Sequence, residues 1–241
     1  ASDGEGVTGT AYVHALNLQT KQWRRGAPMP TWQGTTSDDG EGASTAWDGV
    51  HNVIWWHGSW RAFATSNKVL RKYDPVANTW TEYPGANIGI DQASAFDTKR
   101  QILLTVDGRT SKSVYAYDTS VATPVMYKLA TTGDLTPQQS NAIGLDYDPV
   151  TDQFVAWNGG SVVYTLKAPT DWKAGTWTWT AVSAGSGSAS PTRNANGTYG
   201  RFRYVPALNA FIVVNSVTGP TYMYKLSAGG GGPSTGNPPT V

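Results

Sequence analysis

Two nearly identical acidic strings stand out as places where chemistry could happen. They are SDGEG at residues 2–6 and SDDGEG at residues 37–42. Their carboxylates are Asp3, Glu5, Asp38, Asp39 and Glu41. Carboxylates clustered among flexible glycines suit a hard cation such as calcium, which takes several oxygen ligands. Asp-Gly is equally ordinary turn chemistry, and the spacing of an EF-hand is absent.

A second group is polar and aromatic: His57, Trp60 and Arg61 in HGSWR, Asp107 and Arg109 in DGR, and then Asn158 and Asn215. Together with Trp32, Trp55 and Tyr199 they are suited to a saccharide. Aromatic faces stack on sugar rings, and Arg, Asp and Asn fix hydroxyls. The same set bears on catalysis. A polysaccharide lyase needs a base such as His57, with Arg61 or Arg109 to neutralise a uronate. A hydrolase needs two carboxylates about 5–10 Å apart, which spacing alone does not show. His51 and His57 do not share a metal, because six residues of extended strand span roughly 20 Å. Cysteine is absent, which excludes disulfides, thiolate nucleophiles, Cys-ligated metals and a copper site built on a cross-linked Tyr–Cys pair.

The elements that must position these residues come from a repeat. Residues 43–84 read as four short β-runs separated by turns: STAWD, NVIWWHG, KVLRKYDP and TWTEYP. The segments 46–56, 95–105, 146–156 and 203–213 align without gaps. Asp48, Asp97 and Asp148 share one column, which Val205 breaks. Ile54, Leu103, Phe154 and Phe211 share another. Four-strand units recurring every 40–50 residues or so predict an all-β chain, a β-propeller of four-stranded blades. About five blades are represented in residues 1–226. The first is incomplete, showing only its outer strands at 12–24, and the last lacks its outermost strand. A single four-stranded sheet leaves both faces uncovered, so each unit must stack on another. Trp23, Trp80, Trp177 and Trp179 are then expected to pack between blades. Residues 227–241, SAGGGGPSTGNPPTV, have the composition of a flexible tail or linker. This tail and the incomplete first blade lead us to expect a longer parent.

The strings YDPVANTW (73–80) and NGGSVVYTL (158–166) resemble the kelch pattern, with a glycine pair before the third strand and a Trp closing the unit. The chain thus resembles a kelch-like β-propeller, although only one blade carries the Gly-Gly pair. Its C-terminal segments GLDYDPVTDQFVAWNGG and GTYGRFRYVPALNAFIVVN resemble uncharacterised bacterial secreted propeller proteins. The resemblance covers most of residues 10–226. It implies a six- or seven-bladed ring in the parent and implies no activity.

Composition narrows the function classes. Net charge is +1 and only 15% of residues are charged, with Lys and Arg scattered, so a nucleic-acid interface is not expected. No apolar run reaches membrane-spanning length. A Cys-free chain rich in Gly, Thr and Ser suits an extracellular or cell-surface protein of a secreted bacterial kind, and the sequon at 196–198 adds little, because such tripeptides arise often by chance.

Within each blade the connections between strands one and two are tight. The loops between strands two and three, and between blades, are longer and share the opposite face. Long loops on a rigid scaffold are where binding sits. The inter-blade loops bring Asp38, Asp39 and Glu41, then Asp91, Asp134 and Arg193. The expected function is a non-catalytic extracellular binding module for carbohydrate or a surface polymer, its partner a polysaccharide or a surface protein. The alternatives are a polysaccharide lyase or hydrolase, and a self-assembling structural subunit of a surface layer or filament.

Overall fold

The computed structural model describes residues 12–30, 42–58, 70–85, 88–185 and 187–226. The carboxylates of the acidic strings, Trp32, Trp60, Arg61 and the tail 227–241 lie outside the described residues. The fold is all-β. A hairpin pairs β1 (Tyr12–Leu16) with β2 (Trp23–Pro28). An antiparallel meander follows: β3 (Ser44–Asp48), β4 (Val53–His57), β5 (Leu70–Asp74) and β6 (Thr79–Tyr83). The next comprises β7 (Ala93–Asp97), β8 (Ile102–Asp107), β9 (Ser113–Asp118) and β10 (Val125–Gly133). Then come β11 (Gly144–Asp148), β12 (Gln153–Trp157), β13 (Val162–Lys167) and β14 (Thr176–Ser183). The last has three strands, β15 (Phe202–Val205), β16 (Ala210–Val214) and β17 (Thr221–Tyr224).

The aspartate column is turn chemistry. Each Asp closes its strand, and its Oδ1 accepts the backbone N–H groups two and three residues on. Asp48 takes Val50 and His51, Asp97 takes Lys99 and Arg100, and Asp148 takes Val150 and Thr151. Each turn then passes through a left-handed residue, Asn52, Gln101 or Asp152, with φ near +55°. A tyrosine one residue before the turn reinforces some of these corners. Tyr147 donates to Asp152 Oδ1 at 2.7 Å, Tyr204 to Asn209 Oδ1 at 2.9 Å, and Tyr73 to Asn78 Oδ1 at 2.7 Å. The YDP-type strings are therefore corners, with polar groups engaged locally.

Packing follows the repeat. Ala46, Trp55 and Leu70 of the first meander meet Phe96, Leu103 and Tyr117 of the second. Leu104, Val106 and Val114 meet Tyr147, Phe154 and Ala156 of the third. Val155, Trp157 and Val163 meet Phe202, Phe211 and Val213 of the last. Each large apolar side chain contributes about 1.5–3 kcal/mol on burial, against roughly 0–1 kcal/mol for an exposed ion pair. The stacking therefore rests on these faces. The first strands β3, β7, β11 and β15 lie side by side in sequence order. The second and third meanders are also joined at their outer strands, where Ala130–Gly133 of β10 runs parallel to Thr176–Trp179 of β14. Because β7 also lies against β11, this eight-stranded sheet is curled and nearly closed.

Trp177 and Trp179 are fully buried, as packing residues should be. Trp80 is half-buried, its indole N–H directed at the Ala27 carbonyl. Trp23 differs from expectation: it is 68% exposed. It opens β2 just before the stretch at which the hairpin meets β5 and β6 through Arg24, Gly26 and Ala27.

Candidate functional site at the loop mouth

Just before each first strand the chain turns through a left-handed residue: Gly42, Asp91, Ala142 and Tyr199, with φ of 66°, 58°, 52° and 46°. Their carbonyls link neighbouring meanders. Gly42 O accepts Gln92 N–H, Asp91 O accepts Ala142 N–H at 2.9 Å, and Ala142 O accepts Thr198 N–H at 2.7 Å. This series of hydrogen bonds fixes the backbone on the long-loop face. Gly42 fits there because a side chain would collide with the Asp91 backbone, its Cβ falling 2.5 Å from that nitrogen. Asp91, Ala142 and Tyr199 accept the conformation without glycine's freedom, at a cost of order 1 kcal/mol each.

On this frame stands a polar constellation. Arg109 Nη1 reaches Asp91 Oδ2 at 2.5 Å, and the Tyr199 hydroxyl donates to Asp91 Oδ1 at 2.8 Å. Burial, and then the hydrogen bond to Asp91, push the Tyr199 hydroxyl well above the usual tyrosine range, while Arg109 and Arg193 act in the opposite sense. Arg193 Nη1 donates to the Asn141 carbonyl at 2.9 Å and to Asn158 Oδ1. Asn215 Nδ2 donates to Thr192 O at 2.6 Å. The arginine side chain of Arg109 is half exposed, whereas Asp91 is mostly covered.

The sequence-predicted residues separate into three groups. Arg109, Asn158 and Asn215 stand on this face. His57 and Asp107 lie beneath it, with zero exposure. His57 Nδ1 donates to Gly58 O at 2.9 Å, so the neutral ring accepts the Tyr117 hydroxyl at Nε2, 2.8 Å away. Burial pushes this imidazole down to about 4. The Asp107 carboxylate accepts the N–H groups of Arg109, Thr110 and Ser111, shaping the loop that presents Arg109. Trp60, Arg61, Asp3, Glu5, Asp38, Asp39 and Glu41 lie outside the described residues. Trp55 is a strand residue, 3% exposed, with its indole N–H on Asp48 Oδ2. Asp134 is bonded to Thr136 in a turn of its own. Among the described residues no three His, Asp or Glu side chains gather as a metal site.

Sequence reasoning placed Asp91 and Arg193 in inter-blade loops and grouped Tyr199 with the aromatics suited to a saccharide, but did not bring the three together. No spacing signals a contact between Tyr199 and Asp91, 108 residues apart. Arg201 and Arg203 were missed. Their signal was Arg203, which fills the column occupied by Ala46, Ala95 and Asp146.

No protein-family model matches the chain, and no curated protein matches it. Among the described residues no helix is long and apolar enough to cross a membrane.

Proposed function

We propose that the chain is a kelch-like β-propeller module that works outside the cell and binds a carbohydrate or surface polymer at the loop mouth without transforming it. The observation that carries this reading is the Arg109–Asp91–Tyr199 constellation. It is a half-exposed guanidinium oriented by a covered carboxylate on a frame fixed by backbone hydrogen bonds. Such preorganised polar groups favour recognition of hydroxyl-rich ligands, because little side-chain freedom remains to be lost on binding. The catalytic alternative is less well supported. Both ring nitrogens of His57 are engaged in the interior, and the Tyr199 hydroxyl, held on Asp91, is reluctant to lose its proton. Calcium remains part of the proposal through the acidic strings.

The test is retention of the purified chain on neutral and acidic polysaccharides, with calcium or with a chelator, following products in the same tubes. Retention without products is expected. Arg109→Ala should weaken it at least tenfold, and Tyr199→Phe severalfold, with unfolding temperatures retained. Unsaturated or reducing-end products would replace this reading with an enzyme. Assembly on concentration without retention would replace it with a structural subunit.

A further inference from the structure

Beside the mouth, one face of the last meander forms a cleft of about 640 Å³ lined by Asn194, Arg201, Arg203, Ile212, Val214 and Asn215. It adjoins the constellation, since Asn194 Nδ2 contacts Asn215 O and Tyr199 directly precedes Gly200 and Arg201. Arg203 also reaches toward the mouth, with its Nη2 3.4 Å from where a Cβ on Gly200 would stand.

The balance of donors and acceptors here is one-sided. Among the described residues no Asp or Glu lines the cleft. The carboxylate nearest Arg203 is Asp146, 3.9 Å away, and its Oδ2 already accepts the Tyr204 N–H at 2.9 Å. Arg201 bonds one carbonyl, Gly197 O at 2.6 Å, through Nη1. The Arg203 guanidinium makes no hydrogen bond among the described residues, and the side chain is 39% exposed. At the mouth both oxygens of Asp91 are engaged, and both oxygens of Asp107 accept backbone N–H groups. The Asn215 Oδ1 is unpaired but buried. What the described residues offer to a ligand is therefore guanidinium donors, flanked by the apolar floor of Ile212 and Val214. Arg pairs with carboxylates through two parallel N–H···O bonds, and a cleft of this size holds one or two sugar rings.

We propose that this cleft selects anionic saccharides: a carboxylate of the ligand sits on Arg201 and Arg203, and the chain continues toward Arg193 and Arg109. The inference rests on the saccharide reading above and names its ligand class.

The experiment is calorimetric titration of the full chain with oligomers of galacturonate, mannuronate and hyaluronan, each beside its own methyl ester. The ester keeps shape and stereochemistry and removes the charge. At least one acid should bind tenfold or more tightly than its ester, and the difference should shrink as salt rises. Arg201→Ala with Arg203→Ala should bring the acid down to the affinity of its ester. Arg203→Lys, which keeps the charge but not the fork, should fall between. Circular dichroism and the unfolding temperature establish that both variants are folded. An ester that binds as tightly as its acid overturns this inference and leaves the saccharide reading standing. Wild-type affinity in the folded double variant overturns it as well. A dimer that Arg203→Glu dissolves would show that a second copy covers the face, and would overturn it. Binding of no oligomer, acid or ester, overturns this inference, and retention on the neutral polysaccharides above then decides the saccharide reading separately.

Discussion

At Asp48, Asp97 and Asp148 one carboxylate oxygen does the work of a turn. The buried Asp148 accepts Val150 N–H, Thr151 N–H and, through Oδ2, the Thr151 hydroxyl. Asp148→Ala leaves these donors without their acceptor, which costs about 1–3 kcal/mol; urea unfolding should show the midpoint fall with an unchanged slope. His57 gives a second residue-scale prediction. Unfolded, a histidine titrates near 6.5, while His57 in the fold titrates at about 4 because of its burial. Between these values the unfolded chain binds a proton that the native chain does not. Stability should therefore fall as pH drops from about 6.5 to about 4, by on the order of 3 kcal/mol. Denaturant midpoints across this window should slope in the wild type and flatten in His57→Gln. Legibility at this scale divides by range. The Asp column could be read because cap and donors lie within three residues. The burial of His57 could not, because its partner Tyr117 belongs to the next meander, 60 residues on.

At the scale of elements, the corners on the face opposite the mouth are tied to each other. Arg100 Nη1 bonds Asp97 Oδ2 and Asp152 Oδ1, both at 2.6 Å, and its Nη2 bonds Asp152 Oδ2 at 2.9 Å. The β7–β8 turn thereby holds the β11–β12 turn with a forked, largely covered guanidinium. Lys99 also reaches Asp152, at 2.5 Å, but its side chain is 65% exposed. Arg100→Ala should cost about 1–3 kcal/mol, and Lys99→Ala about 0.5 kcal/mol or less, measured side by side by thermal unfolding. The hydrogen bond from Arg100 holds the Asp152 carboxyl far below the usual carboxylate range. Its stabilisation is thus complete above about pH 4 and is lost as pH falls further toward the folded value. That window lies below the one set by His57, so an acid titration should show two separate losses, with only the lower one reduced in Arg100→Ala, where Lys99 and Tyr147 still hold Asp152. The tight turns themselves were legible from DTKRQ and DPVTDQ. Their coupling was not, since sequence gives the turn type but not which corners come to face each other. The same holds for the mouth, where Asp91, Ala142 and Tyr199 adopt left-handed backbone without the glycine that would have announced it.

The described residues form a series of stacked meanders whose centre is the most tightly bound part. Every residue of β7, β8 and β9 is buried. The second and third meanders are sealed twice, by the apolar contacts of Leu104, Val106 and Val114 and by the parallel ladder between β10 and β14. Among the described residues the first and last strands show no such double closure. β1 pairs, among the described residues, only with β2 and β17 only with β16, and Trp47 and Met223 are 52% and 60% exposed. Local opening at an end gives up few apolar contacts, whereas exposing β8 requires the central pair of meanders to come apart. Native-state hydrogen exchange should therefore be graded along the chain. Amides of β8, β9 and β12 should exchange at the rate set by global unfolding and follow denaturant with its full slope. Amides of β1, β2 and β17 should exchange orders of magnitude faster and nearly independently of denaturant. The parallel ladder can be probed separately. A Cβ on Gly133 would fall 2.1 Å from the Trp179 carbonyl oxygen, at a residue with φ of 87°. Gly133→Val should thus raise exchange in β10 and β14 selectively before it lowers global stability. If β10 and β8 instead lost protection to the same degree, the outer ladder would be part of one cooperative core rather than a second seal around it.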